Sequence, residues 1–305
     1  RDRDVTGVQT CALPISASES SARIRAMIEM ACSDPSVART VDSLDSHPYL
    51  FNVDNGTVDL RTGKLRAHSR DDMMTICAPA SLEDWTATAG VSVWSTFLER
   101  ILPNEDTRLF VQKCVGLSLI GEQREHIVPF LFGGGQNGKG TMLRAIMKAI
   151  GKYGCAVPSD MLMERTHAPH ASQKATLMGK RFAIADELPH NREFDVAALK
   201  SLSGGDPIAA QFMRQDWFTF DPSHTLWLQG NDKPRIPGSD FGTWRRMRLI
   251  PFLVKIPDSE KDPDLDRKLA AERDIVMRWA IDGAVAYMRD GLQVCGEVQG
   301  ATAEY

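Results

Sequence analysis

The chain has 305 residues, of which 43% are hydrophobic and 25% charged, so it can form one large or two small globular domains. Its formal net charge of −4 excludes a global positive field, and a surface that binds nucleic acid must therefore be local. No apolar run approaches the ~18 residues of a membrane span. The six cysteines form no Cys-x-x-Cys pair, which favours ordinary thiols of a reducing compartment over a zinc site.

The two ends of the chain look unusual. Residues 1–16 include a stretch, residues 5–15, that is similar to the in-frame translation of a sequencing-adapter oligonucleotide, and we exclude them from the fold prediction. Residues 293–305 have no closing feature, so we expect the natural protein to extend beyond both ends.

The first half of the chain predicts helices around a β-rich stretch. Hydrophobic residues at helical spacing predict a helix over 17–33. The turn signals Asn55-Gly56 and Thr62-Gly63 then separate short apolar runs such as 50–53 and 57–60, which predicts β-hairpins.

Two amphipathic helices are predicted over 94–102 and 106–120, broken by Pro103-Asn104 and with Asp106 as the cap of the second. The rest alternates between strand and helix, which predicts an α/β domain with a mostly parallel sheet flanked by helices. The strand candidates are 127–132, 181–185, 225–228 and 248–252. We place the boundary between a small leading α+β domain, 17–120, and this core near residue 121.

A glycine-rich segment follows the first of these strands and opens a helix, as in a P-loop (Walker A motif). Glycines let the backbone wrap around phosphate, and the following helix presents its N–H groups and positive dipole end. The spacing places Lys139 to reach the β- and γ-phosphates of a nucleotide. The predicted phosphate-binding residues are Gly133, Gly135, Asn137, Gly138, Lys139, Gly140 and Thr141. Gly140 stands where Ser or Thr usually ligates Mg²⁺, so Thr141 is the predicted hydroxyl ligand.

Two acids end the next apolar strand. We assign Asp186 to Mg²⁺, together with Thr141, and Glu187 to polarising the attacking water. The apolar strand over 225–228 leads to Asn231, whose amide is suited to orienting that water. The pair Arg245-Arg246 precedes the last strand, and a guanidinium there is suited to stabilising charge on a transferring phosphoryl group.

The order of these motifs resembles the superfamily 3 helicase domain of phage and plasmid primase–helicases, related to the poxvirus primase–helicase. Residues 52–63 resemble the segment that precedes the helicase in that family. The resemblance implies an AAA+ P-loop NTPase core over 121–292, assembled as a homohexameric ring with ATP and Mg²⁺ between subunits. It also implies that Arg245 or Arg246 acts on a neighbour's γ-phosphate, and the sequence does not choose between them.

The resemblance further implies a DNA-contacting hairpin with strands 208–212 and 217–220. Arg214 near its tip, and Lys200 from the preceding helix, are then the candidates for binding single-stranded or forked DNA. The family often has arginine where this chain has Gln211, which removes one expected positive charge. The expected protein is a DNA-replicating ATPase of the bacterial host cytoplasm, with no membrane partner and with a primase domain in the parent protein.

The residues leave two alternative functions open. The pair Gly140-Thr141 also occurs in nucleotide kinases, so a small-molecule nucleotide kinase that uses the same loop is the alternative to a helicase. A ring-forming DNA-binding module without turnover is a weaker one, since Lys139 and Glu187 are both present.

Overall fold

A computed structural model describes residues 20–82, 91–164, 171–185, 193–233 and 241–303. The chain divides into two compact units, residues 1–46 and 47–305. In the first unit, helix α1 spans Ser21–Ser33 and a single 3₁₀ turn spans Val41–Ser43. The predicted helix over 17–33 is therefore confirmed from residue 21 onward.

The second unit opens with a three-stranded antiparallel sheet. Its strands are β1 (Leu50–Val53), β2 (Gly56–Asp59) and β3 (Lys64–Arg66), in that order. Val53 pairs with Gly56, so β1 and β2 are joined by a two-residue loop. The predicted hairpin is confirmed, but its loop is Asp54-Asn55 and Gly56 is the first residue of β2, so the turn lies one residue earlier than Asn55-Gly56 indicates.

Two helices follow, α2 (Val93–Ile101) and α3 (Glu105–Leu119), close to their predicted bounds. The predicted cap of the second was wrong. The side chain of Asn104 accepts a hydrogen bond from the Thr107 backbone N–H at 3.2 Å, which makes Asn104 the N-cap. Asp106 lies inside the first turn instead, where a carboxylate still favours the positive end of the helix dipole.

The remaining strands form a hairpin and a five-stranded sheet. They are β4 (Val128–Phe132), β5 (Gly154–Val157), β6 (Phe182–Ala185), β7 (Ile208–Gln211), β8 (Trp217–Phe220), β9 (Thr225–Gly230) and β10 (Met247–Pro251). Strands β7 and β8 pair antiparallel. The five-stranded sheet has the order β10-β4-β9-β6-β5, and all its neighbours are parallel.

Helices flank this sheet, so the predicted α/β fold is confirmed. The helices of this part of the chain are α4 (Lys139–Ile150), α5 (Ala171–Ala175), α6 (Val196–Ser203), α7 (Phe241–Trp244), α8 (Leu265–Ala271), α9 (Arg273–Asp290) and α10 (Gly296–Ala303). No helix in the described ranges has the length and apolar content required to span a membrane.

Successive residues of the central strands enter two different hydrophobic clusters. Trp227 packs in the cluster that contains α3, α4 and α9, whereas Leu226 and Leu228 pack in the one that contains α6 and the hairpin. Both faces of the sheet are thus covered, which explains why these strands are continuously apolar in sequence. The first cluster holds residues from both sides of position 121, so the domain boundary placed there stays a prediction.

Helices α3 and α9 cross at two glycines. A Cβ atom on Gly116 would lie 2.0 Å from the Ala284 backbone nitrogen, and one on Gly283 would lie 2.1 Å from the Gln112 carbonyl oxygen. These contacts are with backbone atoms, which have no flexible side chain to move away. The close approach of the two helices therefore requires glycine at both positions.

We expect Gly116→Ala to lower the free energy of unfolding by about 3 kcal/mol or more, because the added methyl group forces the two helices apart. Chemical denaturation monitored by circular dichroism measures this loss. Gly300→Ala is the matched control: Gly300 lies in α10 with no atom within 4 Å of an added Cβ, so the same change should be neutral or stabilising. Equal effects of the two substitutions would contradict the crossing.

His224 is a buried histidine beside the start of β9. Its Nε2 lies 3.0 Å from the carbonyl oxygen of Leu202, while its Nδ1 has no hydrogen-bond partner among the described residues. Burial lowers the pKa of His224 to about 4, because a second buried N–H and a positive charge would be poorly solvated.

This histidine should make stability depend on pH. The unfolded chain binds a proton at His224 below pH ~6.5, whereas the folded chain binds it only near pH 4, so its contribution is lost as pH falls between these values. We expect the free energy of unfolding of His224→Gln to fall less than that of the wild type over this pH range. The difference between the two losses should be on the order of 3 kcal/mol. Denaturation at pH 7 and pH 4.5 measures it; the exposed His68→Gln should match the wild type, and an unchanged slope for His224→Gln would contradict the assignment.

Candidate functional site

The glycine loop, residues 133–138, joins the carboxyl end of β4 to the first residue of α4. Gly133 has φ +147° and Gly138 has φ +84°, conformations that L side chains rarely adopt. A Cβ on Gly133 would lie 2.2 Å from the Phe252 carbonyl oxygen, and one on Gly138 would lie 2.6 Å from Ile101. The path of the loop therefore depends on these two glycines, whereas Gly135 is exposed with open space around it.

Lys139 is buried at the head of α4 and points into the glycine loop. Its Nζ donates to the Gly133 carbonyl oxygen at 2.5 Å and to Asn137 Oδ1 at 3.1 Å. Asn137 is itself buried, and its Nδ2 donates to the Phe252 carbonyl oxygen at 3.1 Å. The loop is thus closed around an ammonium group and tied to the residue that follows β10.

The first turn of α4 faces the same loop. Its N-cap, Gly138, has no side chain to cap the helix, so the backbone N–H groups of the first turn are not capped from that position. Aligned N–H groups and the positive dipole end favour an anion there. The predicted residues Gly133 to Thr141 are therefore brought together around one concave backbone segment that is suited to phosphate.

Asn231 lies next to this loop. Gly230, the last residue of β9, pairs with Phe132, the last residue of β4, so Asn231 and Gly133 leave the sheet side by side. Strand β6 is the next neighbour of β9 and ends at Ala185. Asp186 and Glu187 follow directly but lie outside the described residues, so their roles stay predictions.

The paired arginines lie at the amino-terminal ends of the parallel strands, whereas the glycine loop lies at their carboxyl-terminal ends. They precede β10, and the Arg246 carbonyl oxygen accepts a hydrogen bond from the Val128 N–H at the start of β4, 2.8 Å away. The length of a five-residue strand, roughly 15 Å, therefore separates them from the glycine loop of their own chain. The sequence could have indicated this separation. In a parallel sheet all strands run in the same direction, so residues that precede one strand and residues that follow another lie at opposite ends of the strands.

Arg245 and Arg246 differ in their surroundings. Arg245 is exposed, and its carbonyl oxygen accepts a hydrogen bond from Arg248 Nη1 at 2.7 Å, which fixes the backbone there. Arg246 is partly buried, and its Nη1 donates to the Gly242 carbonyl oxygen at 2.7 Å. Of the two guanidinium groups, that of Arg245 is therefore the more available to another molecule.

The β7–β8 hairpin presents an exposed tip of residues 212–216. Arg214 is exposed there and has φ +61°, while Gln211 Nε2 donates to the Gln215 carbonyl oxygen at 2.9 Å and closes the tip. The exposed fractions of Met213 and Trp217 are 80% and 64%. Lys200 lies in the preceding helix, α6, as predicted, and it is partly buried; its contact with DNA stays a prediction.

Sequence reasoning missed a cavity of about 850 Å³ that adjoins the glycine loop. Gly138 and Thr141 line one side of it, and Phe97 of α2 and Leu265 of α8 line others. Its size suits a small organic ligand. No local pattern could reveal it, because its walls come from segments more than 150 residues apart in the chain.

Two family models match the chain. Residues 13–103 match the model described as D5 N terminal like, and residues 131–246 match a family of unknown function, DUF5906. Neither match covers half of the chain.

Viral proteins are similar over most of the chain. "Putative helicase L207/L206" of Acanthamoeba polyphaga mimivirus is 29% identical over 228 residues, which cover 73% of this chain and 23% of that protein. "Putative helicase 121R" of Invertebrate iridescent virus 3 is 27% identical, over 74% of this chain and 25% of that protein. "Putative primase C962R" of African swine fever virus, isolate Warthog/Namibia/Wart80/1980, is 25% identical, over 70% of this chain and 23% of that protein.

A solved structure shares the fold. The apo structure of the NrS-1 C-terminal region superposes with a TM-score of 0.55 and 11% identity, over 85% of this chain and 59% of that one. The chain spans about a quarter of the length of the viral relatives that it matches. It is homologous to a part of viral proteins that are named as helicases and primases.

Proposed function

We propose that the chain is the ATP-hydrolysing motor of a replicative DNA helicase of the superfamily 3, AAA+ type. The observation that carries the proposal is Lys139, buried at the head of α4 and enclosed by the glycine loop at the carboxyl edge of a parallel sheet. The viral relatives are named as helicases and primases, and these names support a role in DNA replication.

In the proposed reaction the triphosphate of ATP lies over the glycine loop, and Lys139 contacts its β- and γ-phosphates. The adenine base enters the adjoining cavity between Phe97 and Leu265. Thr141 and Asp186 are the predicted ligands of Mg²⁺, which would neutralise phosphate charge. Glu187 polarises a water molecule that attacks the γ-phosphorus, Asn231 orients that water, and ADP and phosphate are released.

The arginines support a site shared between subunits. A guanidinium at the opposite edge of the sheet is too far away to reach a phosphate bound by its own chain. It would face a neighbour's glycine loop in a head-to-tail ring. We assign this role to Arg245, because it is exposed while Arg246 is hydrogen-bonded within its own chain. The proposed assembly is a homohexamer.

The hairpin supports an interaction with single-stranded or forked DNA. Arg214 is exposed at its tip for a backbone phosphate, and the exposed ring of Trp217 offers a surface for base stacking. Lys200 is the second predicted contact. Six copies around a channel would concentrate positive charge locally, although the whole chain carries −4. A primase domain in the parent protein is part of the same proposal.

We expect the chain to hydrolyse ATP, and single-stranded DNA to raise the rate several-fold, because DNA in the channel would order the ring. Lys139→Ala should reduce the rate roughly 100-fold or more, since the phosphate charge is no longer balanced. A coupled phosphate-release assay measures both effects. The exposed Lys152→Ala, just after the same helix, is the matched control and should keep the wild-type rate.

A different outcome would identify the alternative function. The rate of ATP consumption could be unchanged by DNA but raised by a nucleoside monophosphate that is converted to the diphosphate. This result would contradict the helicase and support a nucleotide kinase. Wild-type activity in Lys139→Ala would contradict both.

Mixing two inactive variants should restore activity if the arginine acts on a neighbour. In an assembly of Arg245→Ala and Lys139→Ala subunits, some interfaces combine an intact Lys139 with an intact arginine. We expect ATPase activity in the mixture to exceed the sum of the separate variants, with a maximum near equal ratio.

Arg246→Ala provides the comparison in the same experiment. It should mainly lower stability, because it removes the bond to Gly242. Complementation by Arg246→Ala together with full activity in Arg245→Ala would reverse the assignment, and no recovery at any ratio for either variant would contradict a shared site.

A further inference from the structure

Arg144 lies on the same face of α4 as the end of the glycine loop. It follows Gly140 by four residues and Thr141 by three, and side chains of a helix lean toward its N-terminus. Its Nη2 donates to Thr141 Oγ1 at 3.0 Å and pairs with Asp266 Oδ2 of α8 at 3.2 Å. The guanidinium therefore lies over the first turn of α4 rather than away from it.

Gly140 makes room for this guanidinium. A Cβ built on Gly140 would lie 3.1 Å from Arg144 Nη1, closer than most side chains tolerate, and 3.8 Å from Gln229 Oε1. A serine or threonine at position 140, as is usual after the lysine of this motif, would extend further into the same space. The observed position of the Arg144 guanidinium therefore depends on glycine at position 140.

The ion pair with Asp266 does not account for this placement. Both side chains are half exposed, 56% for Arg144 and 50% for Asp266, and pairs of this kind contribute little to stability. A cation near the positive end of a helix dipole is also unfavourable without a strong counter-charge. A phosphate group at the head of α4 would supply that charge.

We propose that Arg144 is a phosphate-binding residue of the nucleotide site, and that its guanidinium uses the space that the glycine at position 140 leaves open. Thr141 then has a different task from the predicted one. A hydroxyl that accepts a hydrogen bond from Arg144 still has its own proton, which it donates to a phosphate oxygen. A divalent cation on the same hydroxyl would lie beside the guanidinium and be repelled, so Thr141 binds phosphate and not Mg²⁺. The inference rests on the proposed nucleotide site.

The test measures binding of ADP in EDTA, so that no divalent cation takes part and no turnover is needed. Arg144→Gln should weaken ADP binding at least about tenfold, because it removes a charge-assisted hydrogen bond to phosphate. Arg144→Lys should retain an intermediate affinity, since it keeps the charge but not the planar fork. Thermal unfolding of each variant verifies the fold.

Asp266→Asn is the decisive control, because it breaks the same ion pair from the other side. Asp266 also lines the adjoining cavity, so this comparison uses pyrophosphate, which needs only the glycine loop and the head of α4. A phosphate-binding Arg144 is released by the change, so pyrophosphate should bind Asp266→Asn as tightly as the wild type or more tightly, and Arg144→Gln more weakly. If the pair only braces α4 against α8, both variants should weaken binding equally, and the inference is overturned. Wild-type affinity in Arg144→Gln overturns it as well.

Gly140→Ser tests the role of Arg144 independently, through the direction in which the affinity for ADP changes. It restores the usual hydroxyl but displaces the guanidinium, so we expect weaker ADP binding; tighter binding would overturn the inference. Lys139→Ala distinguishes a failure of the role given to Arg144 from a failure of the proposed nucleotide site. If the wild-type protein binds ADP and Lys139→Ala does not, the proposed nucleotide site is supported, independently of the result for the Arg144 variants. If the wild type binds no ADP, the proposed function fails together with the inference.

Discussion

The buried ammonium of Lys139 is the constraint around which the site is built. Burying a charge is costly unless polar atoms converge on it, and here the Gly133 carbonyl and the Asn137 amide do so. The loop that carries this carbonyl passes close to the backbone of Phe252, and position 133, with φ +147°, accepts only glycine there. Asn137 binds the same Phe252 carbonyl, so β4, α4 and the end of β10 are fixed around one positive charge.

Features that depend on local chemistry could be predicted from the sequence. The spacing of Gly133, Gly138 and Lys139 specified a loop between strand and helix, and the central strands were recognisable because both faces of the sheet are buried. Strand β5 was missed, since Gly154-Cys155-Ala156 is weakly β-forming and lies at the sheet edge. The α3 cap was misplaced because Asn104 and Asp106 both suit an N-cap, and only the start of the helix decides between them.

Features that depend on distant segments could not be predicted in this way. Asp266 meets Arg144 from a helix more than 120 residues away, and Phe97 and Leu265, which line the same cavity, are more than 150 residues apart. The edge at which the arginine pair lies was deducible, because a parallel strand places preceding and following residues at opposite edges. The choice between Arg245 and Arg246 was not, since it depends on the hydrogen bond from Arg246 to Gly242.

The two proposed arginine roles follow from the direction of the chain. Arg144 projects back along α4 toward the glycine loop, so its proposed partner is the phosphate bound by its own chain. Arg245 precedes β10, at the opposite end of the strands, so its proposed partner is a phosphate bound by another chain. A subunit built in this way would bind nucleotide alone but would depend on a neighbour for the charge that stabilises phosphoryl transfer. Binding and turnover would thereby be separated, which is what a motor needs if hydrolysis is to follow assembly.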